Sequence, residues 1–91
     1  MKEKKNGEEN SFSAGLAQKL ERRFGLGSKP EARRTFYRRL ELATEVHGER
    51  VWIALRTVAA EADGARVPDR YFCATALRRL REGGLMPMAD L

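Results

Sequence analysis

The stretch from Val51 to Leu85 places the strongest constraint on the fold of this 91-residue chain. Its apolar residues recur at intervals of three and four, which is the periodicity of a helix with one buried face. Gly64 interrupts the pattern with a turn, and Pro68 follows in a position that the first turn of a helix tolerates. The pattern predicts two helices, one from about Glu49 to Ala62 and one from Pro68 to the glycines at 83 and 84.

Two further amphipathic segments precede this stretch. Ser11 or Ser13 is expected to cap a first helix that runs to Phe24 and ends in the GLGS turn. Ser28 is expected to cap a second helix, from Pro30 to about His47. The expected inner face of this second helix consists of Phe36, Leu40, Ala43 and either Val46 or His47, with Tyr37 and Leu42 at its borders.

No segment alternates at period two over a useful length, so no strand is predicted. Short, glycine-marked loops between four helices predict an all-α, compact four-helix domain. The polar first ten residues carry no periodicity and are expected to form a disordered tail. The predicted organisation is therefore a tail at 1–10, a helical domain at 11–85 and a C-terminal tail at 86–91.

Composition bears on several classes of protein. The longest apolar run is far shorter than the roughly 20 residues that cross a bilayer, and the N-terminus lacks the apolar segment of a signal peptide. No membrane contact is predicted, and a cytoplasmic location is expected. Cys73 is the single cysteine, which excludes an intramolecular disulfide and a cysteine-rich zinc site, and it is expected to be a small buried hydrophobe. No cofactor or metal is predicted.

The sequence also lacks the marks of catalysis. His47 is the only histidine, and its position near a helix end favours an interaction with the helix dipole over a catalytic triad. Glu41 and Glu45 lie one turn apart, but Arg38 and Arg39 beside them favour a solvated ion-pair face. The glycines at 25 and 27 and those at 83 and 84 lack the preceding strand that a nucleotide-binding loop requires. A non-enzymatic protein is expected.

The net charge of +5 belongs to the predicted folded part, because the three Lys and three Glu of the first ten residues cancel. The remaining cations are almost all arginines, which bind phosphate or carboxylate with two parallel hydrogen bonds. A GC-rich coding sequence would also favour arginine over lysine, whatever the function. Both explanations are compatible with the composition.

The arginines of the fourth predicted helix form the candidate binding site. Arg70, Arg78 and Arg81 return to nearly the same side of the helix, since they are separated by eight and three residues. The candidate nucleic-acid contacts are these three together with Arg79 at the edge, Arg66 in the preceding turn and Tyr71. Such a stripe can contact successive phosphates, and an exposed tyrosine beside it can stack on an unpaired base. The alternatives are an ordinary charged surface and a Tyr71 that packs against a neighbouring helix.

The stretch from Val51 to Leu85 resembles the C-terminal domain of DnaD-like primosome proteins, which help to load replicative helicases. The residues that carry the resemblance are Ala54, Leu55, Val58 and Ala59, then Ala65-Arg66-Val67-Pro68, and then Tyr71, Ala76, Leu77, Leu80 and Gly83. The family often has Ile-Leu and then Trp where this chain has Ala76-Leu77 and Leu80. The resemblance implies an all-α domain that binds single-stranded or duplex DNA and a helicase or initiator partner. It assigns the contacts to Tyr71 and the basic positions of the last helix.

The leading hypothesis is a small DNA-binding accessory protein of replication or of a mobile element. The second is an adaptor or inhibitor that binds an acidic protein through its arginines. In that hypothesis Leu85, Met86, Met88 and Leu91 form an apolar partner hook, or a surface that makes a homodimer. The third is a helix-turn-helix regulator. Tyr71, Phe72 and Cys73 count against this third hypothesis, because they leave few base-reading side chains at the start of the last helix.

Overall fold

A computed structural model describes residues 13–85 of the chain. These residues form four helices: α1 (Leu16–Phe24), α2 (Pro30–His47), α3 (Glu49–Ala62) and α4 (Pro68–Glu82). No strand occurs between residues 13 and 85, which confirms the prediction of an all-α, four-helix fold for this part of the chain. The predicted N-terminal tail, Ser11 and the predicted C-terminal tail lie outside the described residues.

Proline and glycine set the helix boundaries where the sequence predicted them. Pro30 and Pro68 occupy the first turns of α2 and α4. Gly48 alone separates α2 from α3, with a backbone φ of 69° that a residue with a Cβ adopts only at a cost. Its N–H donates to the Thr44 carbonyl oxygen at 2.7 Å, and its own carbonyl accepts from Trp52 at 3.2 Å. One glycine therefore ends α2 and starts α3.

The predicted serine caps are wrong. The N-cap of α1 is Gly15 and that of α2 is Lys29, and neither residue makes a side-chain capping bond. Ser13 lies in the turn before α1, where its carbonyl oxygen accepts a hydrogen bond from the Leu16 N–H at 3.0 Å. Ser13 precedes the N-cap of α1, and Ser28 precedes the N-cap of α2. Each hydroxyl is therefore too early in the chain to cap its helix.

A residue from another helix replaces the missing cap of α1. The Ala17 N–H, in the first turn of α1, donates to Glu41 Oε1 of α2 at 2.8 Å. A carboxylate at this end of a helix satisfies an orphan donor and opposes the positive end of the helix dipole. Glu41 therefore stabilises the start of α1, and among the described residues it does not form the solvated ion pair expected with Arg38 or Arg39.

All four helices contribute to one core. The buried apolar residues are Leu16, Leu20, Tyr37, Leu40, Ala43, Val51, Leu55, Val58, Ala59, Ala62, Phe72, Ala76 and Leu80. In sequence, α1 packs on α2, α2 on α3 and α3 on α4. The rings of Phe24 and Phe72 stack with centroids 4.5 Å apart, so the end of α1 also contacts α4. As the periodicity predicted, α3 and α4 each bury one apolar face.

The inner face of α2 is rotated from the predicted one. Tyr37, predicted at the border, is 1% exposed, whereas Val46 is 72% exposed and Phe36 is only partly buried. A buried tyrosine needs a partner for its hydroxyl. That partner is the Gly25 carbonyl oxygen, which accepts from the Tyr37 hydroxyl at 2.8 Å and comes from the loop after α1.

Candidate nucleic-acid interface

The side of α4 that faces away from the core carries Arg70, Ala74, Arg78 and Arg81, and all four residues are exposed. We call these four residues the outer face of α4. The opposite side of the helix holds Phe72, Ala76 and Leu80, which are almost completely buried. Helical geometry spaces Arg70 and Arg78 by about 12 Å along the axis. The structure thus brings together the three arginines that the spacing predicted.

Little negative charge opposes this face. Among residues 13–85, no carboxylate lies within 4 Å of Arg66, Arg70 or Arg78. Asp69 points to the core side, where it binds Arg33. Glu82 is exposed at the end of α4 and makes no ion pair within the described chain. The positive charges of Arg70 and Arg78 are therefore available to an anionic ligand.

Arg79 lies elsewhere. It was expected at the edge of the arginine stripe, but its guanidinium turns toward α3 and donates to Glu61 Oε1 at 3.1 Å and Oε2 at 3.3 Å. Both side chains are a little over one-third exposed. Arg79 falls on the flank of α4 that packs against α3, because nine residues after Arg70 the helix has made two and a half turns. This arginine links two helices.

Tyr71 joins the same contact. Its hydroxyl donates to Glu61 Oε1 at 3.0 Å, while 36% of the residue remains exposed. Glu61 thus accepts hydrogen bonds from both Tyr71 and Arg79, and the tyrosine is fixed against α3. Of the two expectations for Tyr71, this geometry matches packing against a neighbouring helix.

The inner side of α4 contains a polar junction that the sequence did not predict. Arg33 Nη1, on α2, donates to Asp69 Oδ2 at 3.2 Å and to the Tyr37 hydroxyl at 3.4 Å. The Arg33 and Asp69 side chains are only 19% and 25% exposed. A cation and a carboxylate 36 positions apart give no local signal, so only the packing of α2 against α4 reveals them. We call Arg33, Tyr37, Asp69 and Cys73 the inner junction.

Burial is the main cause of the pKa shifts of Tyr37 and Cys73 in the inner junction. It raises the pKa of the Cys73 thiol and of the Tyr37 phenol, although the Arg33 charge opposes both shifts. The hydrogen bond with Tyr37 raises the pKa of Arg33, against the effect of burial. At neutral pH Cys73 is therefore a protonated thiol, and it lacks the lowered pKa of an activated nucleophile.

The remaining predicted residues lie apart from these sites. His47 is in the last turn of α2, as predicted. Leu85 is partly buried against the core, and its N–H donates to the Leu80 carbonyl oxygen at 2.8 Å. It is therefore part of the bundle, and the other residues of the predicted partner hook, Met86, Met88 and Leu91, lie outside the described chain.

Within residues 13–85 no helix is long and apolar enough to cross a membrane. The same range contains no group of three or more His, Cys, Asp or Glu side chains that could hold a metal ion. Comparison with known proteins found no matching family model, no matching curated protein and no matching solved structure.

Proposed function

We propose that this protein is a small, non-enzymatic DNA-binding accessory protein that contacts the phosphate backbone through the outer face of α4. One observation carries the proposal: Arg70 and Arg78 are exposed on one side of a packed helix, with no carboxylate within 4 Å among residues 13–85. Arg81 lies on the same side, and Arg66 precedes the helix. Arginines held on a rigid helix favour binding to phosphates at fixed spacing.

Several of the other arginines are already paired with carboxylates. Arg23, Arg34 and Arg79 each make an ion pair with a carboxylate of a neighbouring helix or its end. Their charge is already used to hold helices together. On α4, Arg70 and Arg78 have no such carboxylate partner among residues 13–85.

The biological setting that we propose is replication, or the maintenance of a mobile element. The resemblance of residues 51–85 to the DnaD-like domain supports this setting, and it adds a helicase or initiator as the protein partner. DNA binding through phosphates would be weakly dependent on base sequence. Such binding suits an accessory protein that acts at many sites.

The first prediction tests the outer face with DNA of random sequence. Arg70→Glu combined with Arg78→Glu is expected to weaken binding at low salt by on the order of 100-fold, because two phosphate contacts become repulsive. The salt dependence should also decrease, by about one unit of the log–log slope for each lost contact. Fluorescence anisotropy of labelled single-stranded and duplex DNA across salt concentrations measures both quantities.

The matched control changes the same charge elsewhere. Arg38 and Arg50 are exposed on α2 and α3 and make no ion pair within residues 13–85. Arg38→Glu combined with Arg50→Glu should retain most of the DNA affinity. Equal weakening by both double variants would show that net charge, and not the outer face, determines binding. A strong preference for one duplex sequence would instead favour the helix-turn-helix regulator.

A further inference from the structure

A groove between α1 and α3, away from the outer face of α4, has an apolar floor and a basic rim. Its volume is about 360 Å³. The lining residues are Leu16, Lys19, Leu20 and Arg23 from α1, and Trp52, Leu55, Arg56, Ala59 and Ala60 from α3. No acidic residue lines it. The groove therefore combines an apolar floor with charged lining residues that are all positive.

The floor of the groove is aliphatic and preformed. Leu16, Leu20, Leu55 and Ala59 each expose less than a tenth of their surface, and all four belong to the core. Ala60 is exposed beside them and adds no bulk. Pockets of roughly 300–1,000 Å³ with such a lining accommodate apolar groups. A floor made of leucine and alanine fits aliphatic side chains better than it fits a flat nucleobase.

The rim contributes cations from both helices. Arg56 lies over the Trp52 ring with its guanidinium carbon 4.8 Å from the ring centroid, so a cation–π contact holds it at the edge. Lys19 is exposed on the opposite wall. Arg23 is partly neutralised, because it binds Asp63 Oδ2 at 2.8 Å. Lys19 and Arg56 are thus the two rim charges that remain for a partner.

We propose that this groove binds an acidic amphipathic helix of a partner protein. Two or three apolar side chains at helical spacing would occupy the floor, as in other helix-in-groove interactions. Carboxylates flanking them would meet Lys19 and Arg56. Charge complementarity favours this partner over a basic or purely apolar segment, since the lining contains three cations and no carboxylate. This inference is independent of DNA binding and assigns a second surface to the protein.

The test uses a labelled, designed peptide of about 15 residues, a length at which an isolated helix is marginal. One side of its helix carries leucines and the flanks carry glutamates. Binding is expected to shift the emission of Trp52 to shorter wavelength, since the indole loses contact with water, and the only tryptophan of the chain lines the groove. A matched peptide with lysines in place of the glutamates should bind at least about tenfold more weakly.

Two variants of α3 identify the site. Arg56→Glu should weaken the binding of the acidic peptide by about tenfold or more, as measured by anisotropy of the labelled peptide. Arg50→Glu changes the net charge equally from an exposed position on the same helix that does not line the groove, and it should bind like the parent. Circular dichroism confirms that both variants keep their helices. The variant that combines Arg70→Glu and Arg78→Glu should also bind the peptide with the affinity of the parent protein.

Several outcomes would overturn the proposal. One is failure of the acidic peptide to bind, and another is equal weakening by Arg56→Glu and Arg50→Glu. If single-stranded DNA displaced the peptide that is bound to the Arg70→Glu, Arg78→Glu variant, the groove would be assigned to nucleic acid. A blue shift of Trp52 with rising protein concentration and no peptide, together with a doubled mass in light scattering, would assign it to a second copy of the chain.

Discussion

The two sides of α4 serve different purposes. On the inner side, Phe72 and Leu80 fill the core, and Asp69 binds Arg33 from α2. On the outer face, Arg70 and Arg78 contact no carboxylate within residues 13–85. The location of its charge therefore separates a structural arginine such as Arg33 from one that is available for binding. The inner side should therefore determine stability, and the outer face affinity.

The largest expected effect comes from the inner side. Phe72→Ala removes a fully buried ring that stacks on Phe24 and should lower the free energy of unfolding by about 3–5 kcal/mol. Urea denaturation followed by circular dichroism measures this loss. The neighbouring aromatic residue is the control: Tyr71→Ala should cost much less, because that side chain is 36% exposed. Equal losses would mean that both sides of α4 support the fold. They would contradict the assignment of stability to the inner side alone.

An intermediate effect is expected for the inner junction. A double-mutant cycle of Arg33→Met and Asp69→Asn should give a coupling energy of about 1–2 kcal/mol, since a partly buried, hydrogen-bonded ion pair is screened less than an exposed one. The matched cycle uses Arg79→Met and Glu61→Gln, a pair that is more than one-third exposed. Its coupling should be about 0.2–1 kcal/mol. The reverse order of the two couplings would contradict the role of burial.

The smallest effect on stability should come from the outer face. Arg70→Ala and Arg78→Ala are each expected to change the free energy of unfolding by less than about 0.5 kcal/mol, since both residues are exposed and neither pairs with a carboxylate in the described chain. Thermal and urea denaturation test this directly. A loss above about 1 kcal/mol for either variant would show that the arginine supports the helix. Its exposure would then be no guide to function.

The sequence predicted the helices because their ends depend on local chemistry. Proline at the start of α2 and α4 and glycine between α2 and α3 restrict the backbone within one or two residues. The serine caps failed for an equally local reason: both α1 and α2 begin later than the serines require. The position of a helix start is thus less predictable than its existence.

Long-range partners explain the other differences. Tyr37 is buried at the centre of α2 because the Gly25 carbonyl accepts its hydroxyl, and that contact depends on how the loop after α1 meets α2. Helical phase places Arg79 opposite Arg70, but its ion pair with Glu61 of α3 depends on the tertiary fold. The placement of Arg70 and Arg78 followed from helical periodicity alone. Sequence spacing therefore assigns residues to a face, while the tertiary fold decides which charges are neutralised.

The Glu41 carboxylate that binds the Ala17 N–H has a consequence for the order of folding. The nine residues of α1 are fewer than the 12–15 or so that an isolated helix needs, and α1 has no side-chain cap of its own. Its first turn gains a hydrogen-bond partner only after α2 has formed and presented Glu41. We therefore expect α1 to dock late in folding and to open early in unfolding. The groove, whose one wall is α1, would then assemble last, and a helix bound in it would slow the opening of the domain.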